Sequence, residues 1–215
     1  MDPKIIERTF GILAVILTIT QFIPQIVKSF RTKSTRDLSW WSFAQGAVVS
    51  ALWICFGFWR HSLELIIANV AGNISCLIIL VQKYLVEKPR INIRQIFFSP
   101  RKLILTIFVC GLVIFWVMTA ATQSLQLKKI LGWITVLLNV SQLIPQAVKS
   151  FKSDSTKDLS WGTFVQIFTL TISWVVYGLW SGLYEVVVTN ALVSFICGSI
   201  LARKYFLEKI KKAAL

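Results

Sequence analysis

The chain repeats itself at an offset of 121 residues, and this duplication limits the folds open to it more than any other feature. The segment QFIPQIVKSF at Gln21–Phe30 returns without a gap as QLIPQAVKSF at Gln142–Phe151. Residues 10–88 and 131–209 share 31 identities over 79 aligned positions. One supersecondary unit must therefore occur twice in the fold.

Each repeat contains three apolar runs of membrane-spanning length. A hydrocarbon core of about 30 Å needs about 20 apolar residues in a helix, and 56% of this chain is hydrophobic. Seven segments meet or approach that length: Phe10–Val27, Trp40–Trp59, Leu63–Leu80, Leu103–Ala121, Ile130–Val148, Trp161–Trp180 and Leu183–Ala202. The fourth span has no counterpart in the repeat. Because a unit of three spans ends on the opposite side of the membrane, this extra span returns the chain to the starting side and makes the two units parallel.

These spans predict an all-α integral membrane protein with seven transmembrane helices, arranged as two parallel three-helix bundles joined by a linker helix. Residues 1–88 form the first bundle, and residues 89–128 form a cytoplasmic loop and the linker helix. Residues 129–215 form the second bundle and a short basic tail.

The basic residues orient the predicted spans. The chain holds 23 Lys and Arg against 9 Asp and Glu, a net charge of +14. When the spans alternate in direction, 18 of the basic residues fall on one side and 5 on the other. The basic side is expected to be cytoplasmic, which puts the C-terminus there and the N-terminus outside or in a lumen. The charge excess thus indicates orientation rather than a nucleic-acid partner. The plasma or inner membrane is favoured over an organelle, and a homo-oligomer stays open.

The sequence carries no signature of catalysis or metal binding. It contains no phosphate-binding loop, zinc-protease motif or nucleophile elbow, and no ionisable residue lies in the middle of a span. The four cysteines lie within apolar runs, away from any CxxC pair or histidine cluster. We therefore predict a protein that is not an enzyme and has no catalytic residue, metal or cofactor.

Two tryptophans and two asparagines are predicted to share one depth in the membrane. Trp53 lies about 20 Å above the inner end of its span, and Asn69 lies about 9 Å below the outer end of its own. Trp174 and Asn190 repeat this arrangement. An indole can stack on the apolar face of a sugar while an amide bonds its hydroxyls, although packing between helices is an equal alternative. Further candidate pocket-lining residues are Asn73, Asn139, Tyr177 and Ser194.

Two prolines lie at matching depths in the first and fifth spans. Pro24 and Pro145 each remove a backbone hydrogen bond from the interior of a helix. Both lie in the cytoplasmic half, below the predicted pocket. They are therefore predicted to hinge an inner gate, with a static kink as the alternative.

The paired segments QFIPQIVKSFRTKSTRDLSW and QLIPQAVKSFKSDSTKDLSW resemble the PQ-loop motif. The runs LWICFG and IIAN, with SWVVYG and VVTN in the second repeat, resemble the SemiSWEET and SWEET sugar transporters. The resemblance implies facilitative uniport of a neutral mono- or disaccharide by alternating access. By motif match, the sugar-contact roles fall on Trp53, Asn69, Trp174 and Asn190, and the hinge roles on Pro24, Gln25, Pro145 and Gln146.

The chain departs from the SWEET pattern in two ways. Phe56 stands where the family often has Tyr, which only the second repeat keeps as Tyr177. Both repeats keep the Pro-Gln pair that plant SWEETs usually lack, which is closer to the prokaryotic pattern. These departures leave the particular sugar open.

Two other functions occur on related folds. A lysosomal PQ-loop carrier would transport cystine or cationic amino acids with protons, and the family leads one to expect acidic residues within its spans. The KDEL receptor, a cargo-binding receptor, uses charged groups in its cavity to hold a peptide tail. Because the spans of this chain are uncharged in their middles, sugar transport is the predicted function.

Overall fold

A computed structural model describes residues 2–33, 40–87, 124–142, 144 and 161–213. Every regular element in these ranges is a helix, and they contain no strand. The helices are α1 (Pro3–Thr32), α2 (Trp40–Arg60), α3 (Leu63–Glu87), α4 (Leu125–Ser141), α5 (Trp161–Trp180) and α6 (Tyr184–Ala213). They correspond to the first three and last three predicted spans and confirm the all-α fold class. The predicted fourth span lies outside the described residues.

Several helices are long enough to cross a bilayer. Four described segments combine this length with an apolar composition: Pro3–Arg31, Trp40–Arg60, Leu63–Val86 and Tyr184–Leu207. The apolar part of α5, Val165–Trp180, is shorter. These helices support an integral membrane protein, whereas the orientation of its ends and the kind of membrane remain predictions.

Helix α1 keeps an apolar face exposed along its length. Ile12, Ile16, Ile19 and Ile23 recur at helical spacing and are each more than a third exposed. In water such a stripe would be driven into a core, but in a bilayer it faces hydrocarbon at no cost. The exposed stripe is therefore the surface expected to contact lipid.

The hairpins α2–α3 and α5–α6 are closed in both repeats by the same backbone hydrogen bond to a glycine carbonyl. The Ser62 N–H donates to the Gly57 carbonyl at 3.0 Å, and the Leu183 N–H donates to the Gly178 carbonyl at 2.8 Å. A Cβ at Gly57 would lie 2.8 Å from Ile66 Cγ1, and the equivalent distance at Gly178 is 2.9 Å to Val187 Cγ2. Glycine therefore allows the second helix of each hairpin to approach the first.

The chain divides into two compact units, and α1 contributes to both. One unit comprises Met1–Gln21 and Trp133–Leu215, with a core that includes Val193, Cys197 and Ile200. The other unit is Phe22–Gly132, where α2 packs along α3. The boundary within α1 falls three residues before Pro24. The repeat boundaries inferred from the sequence remain a prediction.

Candidate substrate-binding site

The two predicted contact tryptophans are buried and supported alike within their own units. Trp53 is 4% exposed and Trp174 is 6% exposed. The Trp53 ring meets Phe56 at 5.5 Å and 88°, and the Trp174 ring meets Tyr177 at 5.5 Å and 80°. Edge-to-face contacts of this kind stabilise a ring in one plane. The aromatic residue one turn along the helix thus orients each indole, and either Phe or Tyr suffices.

The indole nitrogens of the two tryptophans differ. Trp174 Nε1 donates to Thr18 Oγ1 at 3.3 Å, and the Thr18 hydroxyl donates in turn to the Ala14 carbonyl at 2.8 Å. All three residues belong to one unit. Among the described residues, none accepts a hydrogen bond from Trp53 Nε1.

The predicted contact asparagines also make matching interactions. Asn69 Nδ2 donates to the Leu65 carbonyl at 2.8 Å, and Asn190 Nδ2 donates to the Val186 carbonyl at 2.9 Å. Both side chains are half-buried. A primary amide has two donor hydrogens and one carbonyl acceptor, and no described residue bonds to either carbonyl oxygen. Among the described residues, one donor hydrogen and the carbonyl oxygen of each amide thus have no bonding partner.

Two of the candidate lining residues, Asn73 and Ser194, bond to a neighbouring helix. Asn73 Nδ2 donates to the Ala47 carbonyl at 2.7 Å, joining α3 to α2. Ser194 Oγ donates to Thr171 Oγ1 at 2.6 Å, joining α6 to α5. These bonds are of the interhelical kind that the sequence left open as an alternative. The other two candidates are Tyr177, which is 2% exposed, and Asn139, which is half-buried on α4.

Comparison with known proteins identifies the repeat. The PQ loop repeat family matches at residues 6–66 and 127–187, more than half of the chain. The chain belongs to the PQ-loop family. The protein named sugar transporter SemiSWEET from Leptospira biflexa serovar Patoc is 35% identical over 77 residues, which cover 36% of this chain and 91% of the relative. The SemiSWEET of Bradyrhizobium diazoefficiens is 31% identical over 78 residues, with the same coverage of both chains.

A solved structure shares the whole fold of this PQ-loop protein. The structure of a eukaryotic SWEET transporter superposes with a TM-score of 0.80 at 16% sequence identity. The match covers 97% of this chain and 100% of the other. Together with the SemiSWEET relatives, it supports a SWEET/SemiSWEET-type protein, and it is consistent with the predicted layout of three helices, a linker and three helices.

The predicted hinge of the first PQ-loop repeat lies inside a continuous helix. Pro24 is an interior residue of α1 and is exposed, and the helix passes through Gln25 to Thr32. Pro145 and Gln146 lie outside the described residues. The hinge roles remain a proposal.

Three polar contacts between α1 and the segment containing α5 were not predicted from the sequence. Besides the bond from Trp174 to Thr18, Gln166 Nε2 donates to Thr20 Oγ1 at 3.1 Å. Beyond the end of α5, Ser181 Oγ donates to Glu7 Oε1 at 2.8 Å. Polar side chains within apolar spans were the available signal, but nothing local in the sequence indicates their partners.

The described part of the chain contains no group of three or more His, Cys, Asp or Glu residues that could hold a metal ion. Three of its cysteines, Cys55, Cys76 and Cys197, are buried and free. The rings of Trp53 and Trp174 contact the aromatic rings of Phe56 and Tyr177, respectively, and the Trp174 ring also contacts the hydroxyl of Thr18. Such groups bind neutral ligands and supply no fixed charge.

Proposed function

We propose that this PQ-loop protein is a facilitative uniporter of a neutral mono- or disaccharide, working by alternating access. The observation that carries the proposal is the recurrence in both repeats of a buried Trp, Trp53 and Trp174, and a half-buried Asn, Asn69 and Asn190, with matching local contacts. Two relatives are named as sugar transporters, which supports the same substrate class.

A sugar suits these groups because it has apolar faces and a rim of hydroxyls. The indoles of Trp53 and Trp174 would stack on the C–H faces, and the amides of Asn69 and Asn190 would bond hydroxyls through their unused donor and acceptor. A few such contacts contribute only about 1 kcal/mol each, and the cost of association reduces their sum, so weak binding is expected. Such weak binding suits a carrier that must release its substrate on the other side.

Uniport is proposed because no Asp, Glu, Lys or Arg lies in the middle of a predicted span, where it could couple a proton. Among the described helices, ionisable residues lie toward the ends, as Glu64 does at the start of α3 and Glu185 at the start of α6. A proton-coupled amino-acid carrier or a receptor for a charged peptide tail would need such a group at the ligand. Transport, rather than an enzymatic reaction, is the function that uncharged, non-nucleophilic groups support.

Alternating access is proposed to use Pro24 as a bending point. Pro24 has no N–H to bond the Thr20 carbonyl, one turn earlier in α1. The change from one unit to the other occurs between Gln21 and Phe22, within this same turn. Bending here would change the angle between the two parts of α1. Pro145 and Gln146 are proposed to act similarly in the second repeat.

Reconstitution of the purified chain into liposomes tests the proposal. We expect radiolabelled glucose or sucrose to equilibrate across the membrane without a pH or sodium gradient, and to be recovered chemically unchanged. Uptake that strictly requires a gradient would overturn uniport. Amino-acid uptake with none for sugars would overturn the substrate class, and recovery of an altered sugar would indicate an enzyme.

A further inference from the structure

We propose that Thr18 is a positioning residue for the Trp174 indole and, through it, for the sugar; the proposal rests on the function proposed above. Thr18 lies on α1, whereas Trp174 lies on α5, 156 residues later in the chain. Trp174 Nε1 donates to Thr18 Oγ1 at 3.3 Å. This bond is the link between α1 and the candidate contact residue of the second repeat.

The Thr18 hydroxyl is itself held in place. It donates its only hydrogen to the Ala14 carbonyl at 2.8 Å, so the lone pairs of Oγ1 are left to accept. The β-branched side chain also has few rotamers on a helix. The acceptor that Trp174 meets is thus fixed in position before the indole bonds to it.

Two contacts then determine the plane of the indole. Tyr177 meets the Trp174 ring edge-to-face at 5.5 Å and 80°, and Thr18 holds the pyrrole N–H. A ring held in two places loses most of its freedom to rotate about χ2. A stacking surface that is oriented in advance costs the ligand less ordering entropy on binding.

The bond also decides what Trp174 can offer to a sugar. Its single N–H is donated to Thr18, so the indole contributes its face rather than a hydrogen bond. Trp53, its repeat equivalent, has no acceptor for its N–H among the described residues, and the residue at the repeat position of Thr18 is Asn139. Trp53 and Trp174 therefore differ in their hydrogen bonds to described residues, although the Trp and Asn residues of the two repeats are the same.

Thr18 and Trp174 belong to the same compact unit, and Thr18 lies six residues before Pro24. The part of α1 that holds Thr18 therefore precedes the bending point proposed above.

The test compares three variants of the full chain in liposomes, with labelled glucose or sucrose as the probe. Thr18→Val removes the acceptor at nearly constant volume, and Thr18→Ser retains it. Thr169→Val is the matched control, because Thr169 Oγ1 donates only to the Val165 carbonyl of its own helix, at 2.9 Å. We expect Thr18→Val to raise KM about 5-fold, the effect of one neutral hydrogen bond, with little change in maximal rate. Thr18→Ser and Thr169→Val should keep the KM of the unmutated chain.

A second readout does not depend on transport. In protein labelled with ¹⁵N-tryptophan, the Trp174 indole N–H signal is identified by its absence in Trp174→Phe. We expect Thr18→Val to shift this signal, while Thr18→Ser and Thr169→Val leave it in place. A direct effect on the indole is thereby separated from a general loss of folded protein.

Several results would overturn the positioning role. They are an unchanged KM in Thr18→Val, an equal rise in Thr169→Val, a fall in maximal rate alone, or an unmoved Trp174 signal. If the unmutated chain transports neither sugar, the proposed function fails before any variant is compared. A failure confined to Thr18→Val leaves sugar transport standing.

Discussion

The two repeats carry the same candidate sugar-contact residues, but the indole N–H groups of their tryptophans make different hydrogen bonds among the described residues. Trp53 and Trp174 share their burial and an edge-to-face neighbour. Only Trp174 donates its indole N–H to another described residue, Thr18. The shared features come from within one repeat, whereas the difference depends on a residue far away in the chain. Duplication thus reproduces the local contacts of Trp53 and Trp174, and a contact with a distant segment makes their hydrogen bonds differ.

Among the changes that test this comparison, removing either tryptophan should have the largest effect on sugar uptake. We expect Trp53→Ala and Trp174→Ala each to abolish sugar uptake by proteoliposomes, since the stacking face is lost in both. Because deleting a buried Trp side chain costs about 3–5 kcal/mol of unfolding free energy, uptake must be compared with elution on size exclusion. Trp180→Ala is the control, because that ring is 51% exposed. Near-normal uptake by both variants would assign the buried rings to helix packing.

Removing either asparagine should have the next largest effect on sugar uptake, and we expect the effect to be similar in the two repeats. Asn69→Ala and Asn190→Ala remove the amide carbonyls that would accept from sugar hydroxyls. We expect each variant to lower the initial uptake rate at least about 10-fold, the cost of leaving a ligand hydroxyl unpaired in a desolvated site. Both proteins should stay folded, since each amide bonds only within its own helix.

Asn73→Ala serves as the contrasting variant for the asparagines. Its amide bonds the Ala47 carbonyl on α2, so its loss should lower the midpoint of thermal unfolding and leave the KM for sugar unchanged. A rise in KM in Asn73→Ala, with none in Asn69→Ala, would exchange the roles of these two residues.

The sequence predicted the helices best where a polar boundary coincides with the end of an apolar run. Helix α5 has the predicted bounds, Trp161–Trp180, and α2 ends one residue later than predicted, at Arg60. Helix α1 exceeds its predicted span at both ends. Hydropathy locates the membrane-crossing part of a helix, while Lys, Arg and Glu continue the same helix beyond it.

Only those features of the candidate site that recur in both repeats could be predicted from the sequence. Trp53, Asn69 and their equivalents could be proposed because they recur at a fixed offset within apolar spans. The bond between Thr18 and Trp174 could not, because it joins residues 156 positions apart and has no periodic signal. The interhelical bond of Asn73 shows the converse case, since depth alone does not distinguish a pocket amide from a packing amide.

Alanine at the hairpin glycines should affect both repeats equally. In Gly57→Ala and Gly178→Ala the new Cβ would meet a neighbouring side chain at 2.8 and 2.9 Å. We expect each variant to lose about 1–3 kcal/mol of unfolding free energy through overpacking, measured by denaturation in detergent. Gly72→Ala is the control, because its nearest atom, Ser50 Oγ, lies 3.4 Å away. It should be neutral or stabilising, since Ala favours the helix over Gly. Equal stability of all three variants would contradict a close approach at the hairpins.

The smallest effect should come from the turn between the two helices of each hairpin. At one position of this turn the two repeats share a left-handed backbone conformation but have different residues. His61 adopts φ 53° at the end of α2, and its repeat equivalent, Gly182, adopts φ 65°. A residue with a Cβ loses about 1–2 kcal/mol in this region, whereas glycine does not. Part of that gain is offset by the greater freedom of glycine in the unfolded chain. We therefore expect His61→Gly to stabilise the hairpin by about 0.5 kcal/mol.

The converse change is cleaner, because a Cβ at Gly182 would have nothing within 4 Å. Any destabilisation of Gly182→Ala then arises from the backbone conformation alone, and we expect about 1 kcal/mol in the same denaturation assay. If Gly182→Ala were neutral, the left-handed turn would impose no strain on residues with a Cβ. The left-handed conformation of His61 would then cost no unfolding free energy, and the difference between His61 and Gly182 would not affect stability.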